Sequence, residues 1–239
     1  MQDRCIHIAD ENTPKLILSY GNSFRVEKIP NGTRIIYPPN SIPPVKNPSE
    51  TIETALENPF GAKPLSQLLK KGMKVTIAFD DISLPLPPMK RPDFSQTAID
   101  IILEKLKKAE IDDIHIIAAI CLHRKMTASE LKEMLGNKIF SIYYPDRLYN
   151  HDAEDRENMK YLGETEHGDK VYVNRRAAES DLVIYVNINF VSMDGGHKSF
   201  GTGLADYYTV RHTHNVDAMM HSKSYFVPED SKMHHILSR

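Results

Sequence analysis

The apolar positions along this chain change their period near residue 73. Before that point, short apolar runs alternate with turn residues. Residues 16–20 are followed by Gly21-Asn22, and Phe24, Val26, Ile29, Ile35 and Ile36 are divided by Pro30-Asn31-Gly32. That spacing predicts short strands joined by tight turns. The proline- and asparagine-rich stretch 39–48 predicts an exposed internal linker. Ser49 and Glu50 open a predicted helix that Asn58-Pro59 closes, and 64–71 predicts a second short one.

After residue 73, near-continuous apolar runs at 75–79, 114–120, 139–144 and 182–187 predict buried strands. Between them, 95–109 places Ile99, Ile102, Leu103 and Leu106 on one helical stripe. Thr127 with Glu130 forms a capping box for a helix predicted to end at Gly136. Residues 170–173 read as a hairpin arm. The fold class that follows is α/β, a mostly parallel sheet flanked by helices and preceded by a small N-terminal β segment. Ligands of such sheets bind in loops at the carboxyl ends of the strands. Three polar clusters fall there: Asp80-Asp81, His123-Arg124 and the stretch 189–198.

Composition narrows the function classes. The chain has 239 residues, 41% hydrophobic and 26% charged, enough to bury a substantial core. With a net charge of −2 and both signs interspersed, no basic field calls for nucleic acid. Cys5 and Cys121 are far apart, which argues against a disulfide framework or a four-thiolate zinc site. No apolar run approaches the ~18 residues of a membrane span, and residues 1–12 lack the apolar core of a signal peptide. The expectation is a soluble cytoplasmic protein with no membrane partner.

The candidate chemistry lies in four groups. Asp81 can orient a histidine or hold a ribose hydroxyl, although aspartate also caps turns. His123 leaves a buried strand as a candidate general base, since free imidazole titrates near ~6.5, and Arg124 beside it suits a phosphate or carboxylate. The plainer alternative is a histidine bonded to backbone in a βα loop. In Gly195-Gly196-His197-Lys198-Ser199, glycines let backbone amides approach a phosphate and the lysine adds charge, without the spacing of a P-loop. His212, His214, His221, His234 and His235 crowd the C-terminus, and imidazoles suit nickel, zinc and copper alike. From the residues alone, a zinc-dependent hydrolase and a non-catalytic nucleotide or phosphate binder both stay open.

The order of these pieces is more specific than any one of them. The chain carries Ala55-Leu56-Glu57-Asn58-Pro59, Asp81-Ile82-Ser83, Leu122-His123-Arg124 with Thr127 and Glu130-Leu131, and Asn150-His151-Asp152. Tyr161-Leu162-Gly163, Val173-Asn174-Arg175-Arg176, Gly195-Gly196-His197-Lys198, Gly203-Leu204-Ala205 and His214-Asn215 follow. This series resembles the N-terminal domain of the lactate racemase family, whose members hold a nickel-pincer nucleotide derived from nicotinic acid. The resemblance implies that 1–239 form such a cofactor-binding domain and that a C-terminal lid domain would complete it. It also implies an isomerase that racemises or epimerises a 2-hydroxy acid, with oligomerisation open.

Carried over, Lys198 resembles the lysine that tethers the cofactor through a thioamide, and His214 the histidine that ligates nickel. Gly195, Gly196, Arg124 and Ser199 become candidate cofactor contacts. His123 resembles one of two histidines that exchange protons with the substrate hydroxyl, and Asp81 the active-site aspartate. The α-hydrogen would leave as hydride to the cofactor ring. The sequence departs from the family twice. The family arginine three residues after the aspartate falls on Leu84, and the family proline-histidine pair is missing from 187–191. Lys90 or Arg91 is a candidate for the lost guanidinium, and His197 for the lost base.

Overall fold

Strands without a polar face need cover on both sides, and the sheet in the later part of this chain is covered that way. The computed structural model describes residues 5–83, 89–189, 196–224 and 226–239, the side chains of Gly196 and His197 excepted. The chain divides into two units, Met1–Lys46 and Asn47–Arg239, a division that falls inside the 39–48 stretch.

The first unit holds β1 (Ile6–Ile8), β2 (Leu16–Tyr20), β3 (Ser23–Glu27) and β4 (Arg34–Ile36). β2 and β3 form an antiparallel hairpin, and β1 pairs antiparallel with β4. The hairpin turn needs a positive φ, which Gly21 supplies at +56°. The pattern of alternating runs therefore marks real strands here, but not a core: Ile17, Phe24 and Val26 are all exposed.

The second unit opens with α1 (Pro48–Glu57) and α2 (Leu65–Leu68). It continues through β5 (Lys74–Phe79), α3 (Phe94–Lys108), β6 (Asp113–Ala118), α4 (Ala128–Tyr143) and β7 (Leu148–Asn150). The hairpin β8 (Met159–Glu164) and β9 (Lys170–Asn174) leads to α5 (Arg175–Ala178) and β10 (Leu182–Val186). Four helices end the chain: α6 (Gly196–Gly203), α7 (Tyr207–Val210), α8 (Val216–Met220) and α9 (Lys232–Leu237). The main sheet runs β10-β5-β6-β7, all parallel, with Ile77 opposite both Ile184 and Ile116. On one face, Val75, Ile77, Phe79 and Ile116 pack against Ile99, Ile102, Leu131 and Leu135 of α3 and α4. On the other, Ala78, Ile117 and Ala119 meet Ala177 and Leu204. Each large side chain so buried contributes ~1.5–3 kcal/mol.

Two helix starts follow the sequence closely. Asp93 Oδ1 accepts from Ser95 N at 2.8 Å, and both halves of the Thr127–Glu130 capping box are present. The expected strand at 139–144 is instead the second part of α4. Gly136, at φ +79°, interrupts the helix where a stop was expected, yet the chain resumes helical geometry after it. Leu131, Leu135 and Ile139 are buried at four-residue spacing, so one helical face runs through the kink. The strand that pairs with β6 is the three-residue β7. Among the described residues, no helix is long and apolar enough to cross a membrane.

From β5 through β6 to β7 the chain steps steadily in one direction across the sheet. β10 then returns to the other side of β5. The reversal lies between β5 and β10, and a crevice at such a switch point is where this architecture binds ligands.

Candidate functional site

The two strands at the reversal are tied together just past their carboxyl ends. Asp80 N donates to Val186 O at 3.3 Å, and Asp80 Oδ2 accepts from Ile188 N at 2.9 Å. The Tyr185 hydroxyl also donates to Asp80. Burial, and then the charge of Asp80, push the Tyr185 phenol well above its usual range, so it stays a protonated donor.

Asp81 comes next and is 5% exposed. Its Oδ1 accepts from Ser83 N at 2.7 Å, and its Oδ2 faces His123 Nδ1 at 2.8 Å. The turn after β6 delivers the histidine. Cys121 takes a positive φ of 50°, its amide donates to Gly203 O, and His123 N donates back to Ile120 O. Ser83 Oγ also sits 2.8 Å from His123 Nδ1. With Nδ1–H directed at a carboxylate, the neutral ring carries its lone pair on Nε2. The imidazole is 55% exposed while Asp81 is not, so the buried carboxylate orients a ring whose outer edge is accessible. The neighbouring Cys121 is no nucleophile: burial raises its thiol to about 11.

A cavity of about 340 Å³ opens beside this pair, with His123, Tyr185, Asn187, Ser199 and His214 among its walls. Asn187 Nδ2 donates to Ser199 Oγ at 3.1 Å, which ties the end of β10 to α6. Lys198 precedes Ser199 on the same helix and is half-buried, and its carbonyl accepts from Thr202 Oγ1. His214 is held by its neighbour. Thr213 Oγ1 donates to Val210 O at 2.9 Å and faces His214 Nδ1 at 2.9 Å. The hydroxyl proton being committed to the carbonyl, Nδ1–H donates to Oγ1 and Nε2 is left as a metal-competent lone pair.

That donor set discriminates between kinds of metal site. Among the described residues, no group of three or more His, Cys, Asp or Glu side chains gathers to hold an ion. A zinc site made wholly of protein side chains needs three or four such ligands. A metal carried within an organic ligand needs as little as one protein donor, and His214 fits that requirement.

The structure thus brings Asp81, His123, Ser199 and His214 to one edge of the sheet. Arg124 goes elsewhere. Its guanidinium forks onto Glu130 at 2.7 and 2.9 Å, and that pairing, with the Thr127 cap, holds the Glu130 carboxyl at about 2. His212 Nδ1 pairs with Asp169 at 3.0 Å and lines a different cavity, and His221 pairs with Asp217 on α8. His234 and His235 lie on α9. Arg91 lines a neighbouring cavity with Asp81, but its guanidinium bonds Asp93 and Glu133. Lys90 is exposed. Gly195, Leu84 and residues 190–191 lie outside the described residues, as do the side chains of Gly196 and His197.

Two residues of this region were given no role by their sequence. Tyr185 is hidden inside an apolar strand run. His151 follows β7 and is fully buried, where its Nε2–H donates to Ala205 O at 2.9 Å and Nδ1 accepts from Asn174 Nδ2. Burial lowers its pKa, so the ring is a neutral cross-link that fixes the approach to α7. No strand was expected directly before His151, so the sequence offered no place for it in the fold.

Comparison with known proteins follows the same lines. A family model described as the lactate racemase N-terminal domain matches residues 20–226. The chain is 27% identical over 170 residues to the lactate racemase of Thermoanaerobacterium thermosaccharolyticum, covering 69% of this chain and 38% of that protein. It is 29% identical over 171 residues to the lactate racemase of Lactiplantibacillus plantarum, covering 70% and 38%. The chain therefore spans 38% of the length of these curated relatives. In three dimensions it resembles the lactate racemase apoprotein of T. thermosaccharolyticum, with a TM-score of 0.71 at 22% identity, over 94% of this chain and 52% of that one. A crystal structure of a Thermotoga maritima protein gives a TM-score of 0.59 at 21% identity, over 80% of this chain and 46% of that one.

Proposed function

The chain belongs to the family of lactate racemase N-terminal domains, and from that premise we propose that it forms the cofactor-holding part of a racemase or epimerase acting on a 2-hydroxy acid. The observation that carries this reading is the Asp81–His123 pair at the switch point, beside a cavity walled by His214 and Ser199. Lys198 is the proposed covalent tether of a nickel-pincer nucleotide, and Gly195, Gly196 and Ser199 are its proposed further contacts. His214 is the proposed nickel ligand. When bound, such a cofactor supplies a ring that accepts and returns hydride. The protein's own contribution is acid–base and positional. His123 Nε2 takes the proton of the substrate hydroxyl, and Asp81 keeps the ring in the productive tautomer and stabilises the imidazolium that results. Asn187 holds Ser199 and so the register of α6.

The reading is tested in the full-length protein produced with cofactor-synthesis enzymes. Intact mass should show an adduct that Lys198→Ala abolishes, and metal analysis should show nickel that His214→Ala removes while the adduct stays. Unmodified Lys198 without bound nickel sinks the proposal. A second reading, ligand binding without turnover, draws on Leu84 in the arginine position and on the lack of a histidine in 187–191. Adduct and nickel without hydrogen exchange at the substrate Cα would select it. The zinc hydrolase alternative finds no support in the geometry, because His212 and His214 face different cavities.

A further inference from the structure

A second cavity, of about 360 Å³, shares no lining residue with the first. Arg156, Lys170 and Arg211 line it, together with Tyr172, Tyr208 and His212. The two guanidiniums flank one ring: Arg156 Cζ lies 4.3 Å and Arg211 Cζ 5.2 Å from the Tyr208 centroid. Several other arginines end on carboxylates, Arg91 on Glu133, Arg124 on Glu130, Arg176 on Asp113 and Arg239 on Asp169, although among the described residues Arg147 lies over the Tyr143 ring without one. Among the described residues, Arg156, Lys170 and Arg211 make no ion pair. Two acids lie beside these charges, and one of them, Asp206, lines the cavity itself. Asp206, 3% exposed, accepts from Thr209 N at 2.8 Å, and Asp169 holds both His212 and Arg239 at 3.0 Å.

The three cations, drawn from three separate segments, outnumber the single carboxylate that, among the described residues, lines the cavity with them, and an anion between them relieves their mutual repulsion. A carboxylate of charge −1 satisfies one guanidinium fork. A phosphate dianion presents three accepting oxygens and matches two forks and an ammonium. The volume of about 360 Å³ and the net charge of −2 on the chain favour a small molecule over a nucleic acid backbone. We propose that this cavity is a phosphate-binding site, built by Arg156, Lys170 and Arg211 against the Tyr208 ring, that takes inorganic phosphate or the phosphate group of a small monoester.

The site is independent of the cofactor reading and is tested apart from it. Calorimetric titration of the chain at low ionic strength, with inorganic phosphate and separately with glycerol 3-phosphate, should give saturable binding with one site per chain. Tighter binding of glycerol 3-phosphate assigns the site to an ester, and equal binding assigns it to free phosphate. Arg156→Gln and Arg211→Gln should each weaken binding about tenfold or more, as expected for loss of a charge-assisted hydrogen bond. Lys198→Ala should leave the titration unchanged. Both arginines are exposed, so the variants should keep the wild-type unfolding midpoint; should either fail to fold, Lys170→Gln makes the same test. Non-saturating heats, or binding indifferent to all three substitutions, overturn the proposal.

Discussion

Gly203 closes α6 directly against the candidate site, and replacing it by alanine puts the packing argument to a quantitative test. A Cβ there would lie 3.0 Å from both Ala119 Cβ and Ala119 O, and nearer to the Tyr185 hydroxyl than real Cβ atoms approach anything. None of these neighbours yields easily. Ala119 O is backbone just past the end of β6, and the Tyr185 hydroxyl is held by Asp80. Overpacking of this kind costs ~1–3 kcal/mol, and a unit of this size loses ~2–4 °C of melting midpoint per kcal/mol. The expected fall for Gly203→Ala is therefore roughly 2–12 °C. Tyr185→Phe removes the nearest atom of the clash but also a buried donor to Asp80, at a cost of ~1–3 kcal/mol by itself. Made together, the two substitutions should cost less than their sum by ~0.5–3 kcal/mol, which a double-mutant cycle in urea measures. Additivity within ~0.5 kcal/mol would show that the hydroxyl does not define the space at Gly203, and the packing account of this corner would fall.

Two further outcomes follow from the geometry. Asp81→Asn keeps the size of the side chain but removes the charge that fixes the His123 tautomer, so exchange of the substrate α-hydrogen in the loaded full-length enzyme should slow by ~10²–10⁴-fold with little change in KM; a rate within ~3-fold of wild type would release Asp81 from that role. His115, on β6, supplies the pH prediction: burial, and then the charge of Arg176, lower it to about 4. The unfolded chain, titrating near ~6.5, binds the proton more readily. The stabilisation from keeping this ring neutral is thus complete above ~6.5 and is lost as pH falls from there towards about 4. His115→Gln should flatten that part of the urea-midpoint profile, and a profile identical to wild type would refute the assignment.

Much of the parallel sheet was readable because strands buried on both faces carry apolar residues without alternation, as at Val75 to Phe79 and Ile114 to Ala118. The cap at Thr127 was readable because its chemistry is local. The region 139–144 misled for a physical reason. Gly136 cuts a helical stripe in two, and the remaining Ile-Phe-Ser-Ile-Tyr-Tyr has a strand's length and composition. Only the spacing Leu131, Leu135, Ile139, followed across the glycine, identifies the helix. β7, with three residues, is too short to announce itself. In the site, a carboxylate from the neighbouring strand end, Asp81, reaches His123, a pairing that no local pattern announces. Arg124 does not reach the cavity, since Glu130 six residues later claims it. That competition was visible in the sequence, but nothing local ranks a cap against a ligand.

The return of β10 to the free side of β5 has a consequence for assembly. Leu182 and Val75 are register partners although 107 positions separate them, whereas β5, β6 and β7 are joined by single helices. Closing so large a loop costs chain entropy before any contact repays it. A terminal strand with one neighbour is also the first to exchange its amide protons. Asn187 and, through it, Ser199 hang from that strand, as does the Ile188 bond to Asp80. The candidate crevice thus lies along the sheet's one seam of long sequence separation, at an edge of the sheet. A ligand bound there would add contacts across a pairing that the chain closes only over a long loop.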